Sequence, residues 1–176
     1  KMPELLFSIS SITRAMRAGE REGEKYNFIT RERFEDMLKN DRLLEHNEFV
    51  GNYYGTPREP VERAVANGQD MVIEVDVNGA AQIREKMPEA VSIFIMPPSF
   101  AELKRRLSGR GTESEELIQK RLASALGEIK RAAEYDYIVV NEDITAAADD
   151  IMSVILSSRL KTDRQTKIID EVLSEC

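Results

Sequence analysis

The stretch Met71-Val-Ile-Glu-Val-Asp-Val-Asn-Gly79 decides the fold. Met71 to Val77 is an apolar, β-branched run of strand length, with two alternating acids, Glu74 and Asp76, at its carboxyl end. Val77-Asn-Gly79 reads as the turn that follows. Three more runs share this character: Leu5 to Ile9, Val91 to Met96 and Tyr137 to Val140. The pieces between them are long enough for crossover helices, so the chain is predicted to be α/β with a mostly parallel sheet. In open α/β sheets ligands bind beyond the carboxyl ends of the strands, which makes Glu74 and Asp76 candidates for a site. They would hold a magnesium ion through water or orient nearby cations, although two acids at a strand end also occur without function.

Helix signals fill the intervals. Pro57 to Asn67 starts at a proline and stops at Gly68. Ser99-Phe-Ala-Glu102 is a capping box for a helix to Leu107, and Thr112-Glu-Ser-Glu115 is another for a long helix to about Ala133. Thr145 to Leu160 carries Ile151, Val154 and Ile155 on one face, and Asp163 to Glu175 reads as a last amphipathic helix. Between the first two strands, Ser11 to Gly55 mixes aromatics with charges and glycines. It is predicted to form a small lobe, with short strands at Tyr26 to Ile29 and near Tyr53 and a helix from Arg31 to Lys39. Gly109-Arg-Gly-Thr112 is a candidate mobile loop.

The 176 residues suffice for one well-cored domain with a smaller attachment. A formal net charge of -7 excludes a general nucleic-acid or acidic-membrane binder, since phosphate-backbone affinity needs a clustered positive field. Any phosphate site is therefore local. The single cysteine, Cys176, rules out an internal disulfide framework and fits a reducing compartment. No apolar run approaches the roughly 18 to 20 residues of a membrane span, so the cytoplasm is the expected location.

Two segments carry chemistry. In Ser10 to Phe28, Arg14 and Arg17 stand beside hydroxyls, and two guanidinium forks on a loop can chelate a phosphate. The alternative is a solvated basic loop paired with Glu20, Glu22 and Glu24. In Glu45-His-Asn-Glu-Phe-Val-Gly-Asn-Tyr-Tyr-Gly-Thr-Pro57, Glu45 follows two leucines. A carboxylate at such a pocket wall accepts two hydrogen bonds from adjacent donors, as guanine presents them. Ser10 and Thr56 offer further donors and acceptors, and Tyr26 and Tyr54 offer hydroxyls to a phosphate, unless the tyrosines are plain core residues. Arg105, Arg106, Arg110 and Arg121 flank the glycine loop, where mobile cations can stabilise a phosphoryl group in transfer; the alternative is an exposed charged helix pair. The single histidine, His46, has no partner in the sequence and is given no role.

With these residues in view the chain closely resembles the guanylate kinases, P-loop kinases that phosphorylate GMP from ATP with magnesium. The likeness spans nearly all 176 residues. It is most specific at Ser10 to Phe28, Glu45 to Pro57, Glu74 to Gly79, Pro97-Pro-Ser99, Gly109 to Thr112 with Arg121, and Tyr135 to Asn141. The resemblance implies a three-layer core with a mostly parallel sheet, a small mixed β lobe for GMP and a helical lid. The implied division is core 1–10, lobe 11–67, core 68–105, lid 106–122, and core with C-terminal helices 123–176. It implies guanine recognition by Ser10, Glu45 and Thr56, with the GMP phosphate held by Arg14, Arg17, Tyr26 and Tyr54. Glu74 and Asp76 lie near that phosphate and the metal, Arg106, Arg110 and Arg121 meet the ATP phosphates, and Asn141 lies near the adenine. GMP and ATP are the implied partners, in a monomer or homo-oligomer.

The sequence departs from the family's pattern in two ways. Ile12, Thr13 and Met16 replace the usual two threonines and a proline around the arginines, which alters loop stiffness but spares both guanidiniums. Nowhere is there a Gly-x-x-x-x-Gly-Lys-Ser/Thr, the loop that cradles ATP phosphates. The family carries it in roughly 25 residues before the point where this sequence starts. The expectation is a longer chain that has the loop, and almost no turnover from these residues alone. The alternative is a non-catalytic guanylate kinase-like module, of the kind that binds phosphorylated peptides in the old GMP site.

Overall fold

The computed structural model describes residues 2–108 and 115–174, which fall into two compact units, 1–90 and 91–176. In the first unit the strands are β1 (Leu6–Phe7), β2 (Ser10–Ile12), β3 (Tyr26–Phe28), β4 (Leu43–Phe49), β5 (Asn52–Pro57) and β6 (Met71–Val72). Its helices are α1 (Arg31–Lys39), α2 (Arg58–Ala66) and α3 (Val77–Lys86). β1 and β6 pair in parallel, Leu6 beside Met71. The other four strands form a mixed sheet in the order β3-β2-β5-β4, in which only β2 and β3 run parallel. The sheet contains the short strands expected at Tyr26 to Ile29 and near Tyr53.

Local chemistry explains the element ends. The Thr30 side chain accepts the Arg33 N–H at 3.2 Å and starts α1. α1 closes by a Schellman arrangement, with Arg42 N–H bonded to Met37 O at 2.8 Å and Asp41 N–H to Leu38 O at 3.2 Å. α2 repeats the pattern past Gly68, Gln69 N–H reaching Ala64 O at 2.9 Å. The apolar centre joins Leu44, Val61 and Ile83, with Met71, Ile73, Val75, Met87 and Ala90 packed against them. The run from Met71 thus sets half-buried apolar side chains, Met71, Ile73 and Val75, against this centre.

Two expectations for this run are corrected. The paired strand is only Met71–Val72. Val77-Asn-Gly79 is the first turn of α3 and not a free turn, because Asp76 Oδ1 accepts the N–H groups of Asn78 and Gly79 at 2.9 and 2.8 Å. An aspartate cap in front of Asn-Gly converts a turn signal into a helix start. The strands Ser10–Ile12 and Leu43–Phe49 were not expected, since neither has an apolar run: pairing with β5 makes both.

In the second unit β7 (Ile93–Met96) and β8 (Tyr137–Val140) pair in parallel. α4 (Phe100–Ser108) and α5 (Glu115–Lys130) lie between them in sequence, and a 3-10 turn at Arg131–Glu134 leads into β8. α6 (Ile144–Arg159), a 3-10 turn at Thr162–Arg164 and α7 (Thr166–Ser174) follow. Asp143 caps α6 by accepting from Thr145 and Ala146, both at 2.9 Å. Ser99 caps α4 as its sequence implies, the Glu102 N–H lying 3.1 Å from its hydroxyl. The second capping box and the Gly109-Arg-Gly-Thr112 loop lie outside the described residues. Both strand pairs are parallel, as the alternation of strand and helix predicts.

Candidate active site

Six of the residues singled out in the sequence line one cleft of the first unit: Ser10, Tyr26, Glu45, Tyr54, Glu74 and Asp76. Strand pairing brings them together. Ser10 lies beside Tyr26 across β2 and β3, Tyr54 faces Ile12 across β2 and β5, and Glu45 faces Thr56 across β4 and β5. The chain leaving β6 adds the acids. The cleft measures about 310 Å³, room for a small planar ligand with a polar tail.

Glu45 is 6% exposed and Thr56 is fully buried, and the Thr56 hydroxyl donates to Glu45 Oε1 at 2.7 Å. Thr56 therefore holds the carboxylate from behind instead of lining the cleft. Burial pushes the Glu45 carboxyl above its ordinary value; the Thr56 hydrogen bond opposes this and repulsion from Asp76 adds to it. Two glycines let the backbone come this close. A Cβ on Gly79 would sit 3.0 Å from Glu45 Oε2, and one on Gly55 would sit 2.8 Å from the Glu45 carbonyl oxygen.

α3 fastens β4 around that carboxylate. The Gln82 side chain accepts the His46 N–H at 3.1 Å and donates to the His46 carbonyl at 2.9 Å. Lys86 donates to Leu43 O at 2.8 Å. Asn47 donates to Asp76 Oδ2 at 2.6 Å, so both Asp76 oxygens are engaged. Glu74 is exposed and makes no hydrogen bond or ion pair among the described residues.

Asn47, Phe49 and Gln82 were missed in the sequence. Reading Leu43–Phe49 as a strand would have found the first two, because Glu45, Asn47 and Phe49 then share a face and all three line the cleft. Nothing local marks Gln82.

Arg14 lies with its guanidinium carbon 5.5 Å from the ring centroids of both Tyr26 and Phe28. Its two terminal nitrogens donate to Glu20 at 2.7 and 2.6 Å. That pair holds the Glu20 carboxyl down at about 2 and raises Arg14 further, with the Tyr54 hydroxyl as a lesser neighbour. Pairing with Glu20 is therefore present, as one reading of this loop expected. Arg17 is exposed, and its guanidinium makes no ion pair among the described residues.

In the second unit Pro98, Ser99, Glu102, Arg106 and Glu142 line a separate cleft. Glu102 binds Arg105 through both oxygens, at 2.7 and 2.6 Å, and Arg106 at 2.6 Å, which lowers its carboxyl to about 2. Asn141 follows β8, its N–H on Met96 O at 2.8 Å; its Oδ1 is buried with no partner among the described residues. Arg121 lies on α5, and Arg110 lies outside the described residues. No group of three or more His, Cys, Asp or Glu side chains is placed to hold a metal ion among the described residues. No helix among them is long and apolar enough to cross a membrane.

A sequence model described as guanylate kinase matches residues 3–158. The chain belongs to the guanylate kinase family. It is 49% identical over 168 residues to the guanylate kinase of Salmonella paratyphi A and 48% identical to that of Escherichia coli K12. Each match covers 96% of this chain and 81% of the relative. The guanylate kinase of Desulfitobacterium hafniense is 44% identical over 172 residues, covering 98% of this chain and 86% of its own. The crystal structure of guanylate kinase from Anaplasma phagocytophilum superposes with a TM-score of 0.78 at 40% identity, covering 93% of this chain and 80% of that one. The guanylate kinase relatives span the Glu45 cleft and the Arg106 segment alike.

Proposed function

We propose that the protein transfers the γ-phosphoryl group of ATP to GMP, giving ADP and GDP, as a cytoplasmic enzyme of purine nucleotide metabolism. The observation that carries this reading is the gathering of Ser10, Tyr26, Glu45 and Tyr54 on one cleft, with Thr56 locking the carboxylate. Glu45, ionised, accepts the two adjacent donors of guanine, aided by Ser10 and oriented by Thr56. Arg14, Arg17, Tyr26 and Tyr54 hold the GMP phosphate, and Glu74 and Asp76 stand beside it. Residues 11–67 form the GMP lobe and 106–122 the lid. Arg106, Arg110 and Arg121 meet the ATP phosphates and the group in flight, and Asn141, whose buried Oδ1 lacks a partner among the described residues, accepts from the adenine.

In the transfer, a GMP phosphate oxygen forms a bond to the γ-phosphorus while the bond to the β,γ-bridging oxygen breaks, its electron pair leaving with ADP. The nucleophile is already anionic, so positioning and charge stabilisation carry the catalysis. Magnesium bound with ATP would neutralise charge on the phosphates, and Glu74, whose carboxylate has no partner among the described residues, would stand near it to hold one of its waters. These residues contain no Gly-x-x-x-x-Gly-Lys-Ser/Thr, so a polypeptide limited to them is expected to turn over hardly at all.

The test is ADP formation from ATP with GMP or AMP as acceptor, using the protein purified from its own cells. Transfer to GMP, with AMP at least about 100-fold poorer, supports the reading, because unpaired buried polar groups reject a ligand lacking the matching donors. Equal use of both acceptors, or no transfer, overturns it.

A further inference from the structure

Glu20 looked from the sequence like a charge that merely neutralises the arginine loop. Its geometry is more specific. Arg14 Nη1 donates to Glu20 Oε2 at 2.7 Å, Nη2 donates to Oε1 at 2.6 Å, and the Arg17 backbone N–H donates to the same Oε2 at 2.7 Å. One carboxylate thus ties the guanidinium and the loop backbone together across six residues.

A guanidinium has two edges that can grip an anion in parallel. The end-on edge is Nη1 with Nη2, and the side-on edge is Nε with Nη2. Glu20 takes the end-on edge, and the Ala15 carbonyl takes a further Nη1 hydrogen at 3.0 Å. No carboxylate or carbonyl takes the side-on edge among the described residues. The rings of Tyr26 and Phe28 lie against the group, and the Arg14 side chain is only 13% exposed. An arginine held at one edge and packed against aromatic rings has little freedom left to lose when an anion meets its other edge.

We propose that Glu20 is the positioning residue of the phosphate site: it holds the end-on edge of Arg14 so that the side-on edge is presented to the phosphate of GMP. The proposal rests on the reading of the Glu45 cleft as the GMP site. The rival reading makes Glu20 a resident anion that the phosphate must displace. The Arg17 N–H bond speaks against it, because it anchors the carboxylate to the loop whether or not Arg14 is engaged.

The two readings predict opposite signs. Calorimetric titrations of the parent, Glu20→Gln and Glu20→Asp with GMP and with guanosine, which has no phosphate, separate them. Glu20→Gln is expected to weaken GMP by about ten-fold or more, the scale of a lost charge-assisted contact, and to leave guanosine within about two-fold. Glu20→Asp recovers part of the GMP affinity. Tighter or unchanged GMP binding in Glu20→Gln overturns the positioning role, and so does an equal loss for GMP and guanosine, which reports a collapsed cleft. A parent that binds neither ligand overturns the reading of the cleft itself, and this proposal with it.

Discussion

The Thr56 hydroxyl and the Glu45 carboxylate share a 2.7 Å hydrogen bond on adjacent strands, with the threonine wholly buried behind the acid. The threonine thus restrains a buried carboxylate that lines the cleft. Replacing Thr56 with valine keeps the volume and removes the donor. The change is expected to cost about 1–3 kcal/mol of stability, for leaving a buried acceptor unmet, and to weaken guanosine and GMP equally. Thermal unfolding and titration with both ligands check this; GMP weakened much more than guanosine would move Thr56 to the phosphate end.

Gly79 abuts the other carboxylate oxygen. Alanine there would bring a Cβ to 3.0 Å from both Glu45 Oε2 and Val75 Cβ, tighter than ordinary contact, so the acid must turn. The expected result for Gly79→Ala is guanosine affinity reduced about ten-fold, a cost of about 1.4 kcal/mol. Helix content should stay intact, because alanine favours the helix whose first turn holds Gly79. An unchanged guanosine affinity would show that the carboxylate's rotamer does not matter.

On the proposed reading guanine recognition needs Glu45 ionised, and burial raises its carboxyl above the ordinary 4.5. Guanosine affinity is therefore full above the raised value and is lost as pH falls through it, at a higher pH than an exposed glutamate would show. The effect on folding has the opposite sense. The folded state holds this proton more tightly, so the advantage is complete below the unfolded value and fades as pH rises through the folded one. Guanosine titrations across the acid range check the first statement, since the ligand has no phosphate of its own to protonate. Glu45→Gln should abolish the pH dependence, and a dependence that survives in that variant would point to another group.

The β4–β5 hairpin turns on Val50 and Gly51, both at positive φ, 50° and 72°. This is the geometry in which Asn-Gly is favoured, and a β-branched residue there is strained. Val50 is 79% exposed, so its side chain contributes little packing in return. Val50→Asn should raise the melting temperature by about 2–4 °C, from relief of roughly 1 kcal/mol of backbone strain. A lowered melting temperature would mean that the exposed valine has a packing role.

The apolar runs at Met71, Val91 and Tyr137, the alternation of strands with helical spacing, and the helix starts at Arg31, Pro57 and Ser99 were all legible along the chain, because each depends on residues within a turn or two of one another. So were Glu45, Tyr26 and Tyr54 as candidate residues, which one cleft gathers. Tertiary structure alone decided that Ser10–Ile12 and Leu43–Phe49 are strands, since their pairing partners lie in β3 and β5 for the first and in β5 for the second. It also decided that Thr56 faces Glu45 and not the cleft, that Gln82 clamps His46 from 36 residues away, and that Glu20 grips one edge of Arg14. Periodicity and capping are set by near neighbours and can be read from order alone. Which edge of a guanidinium or carboxylate stays open is set by groups that meet only after the chain has folded.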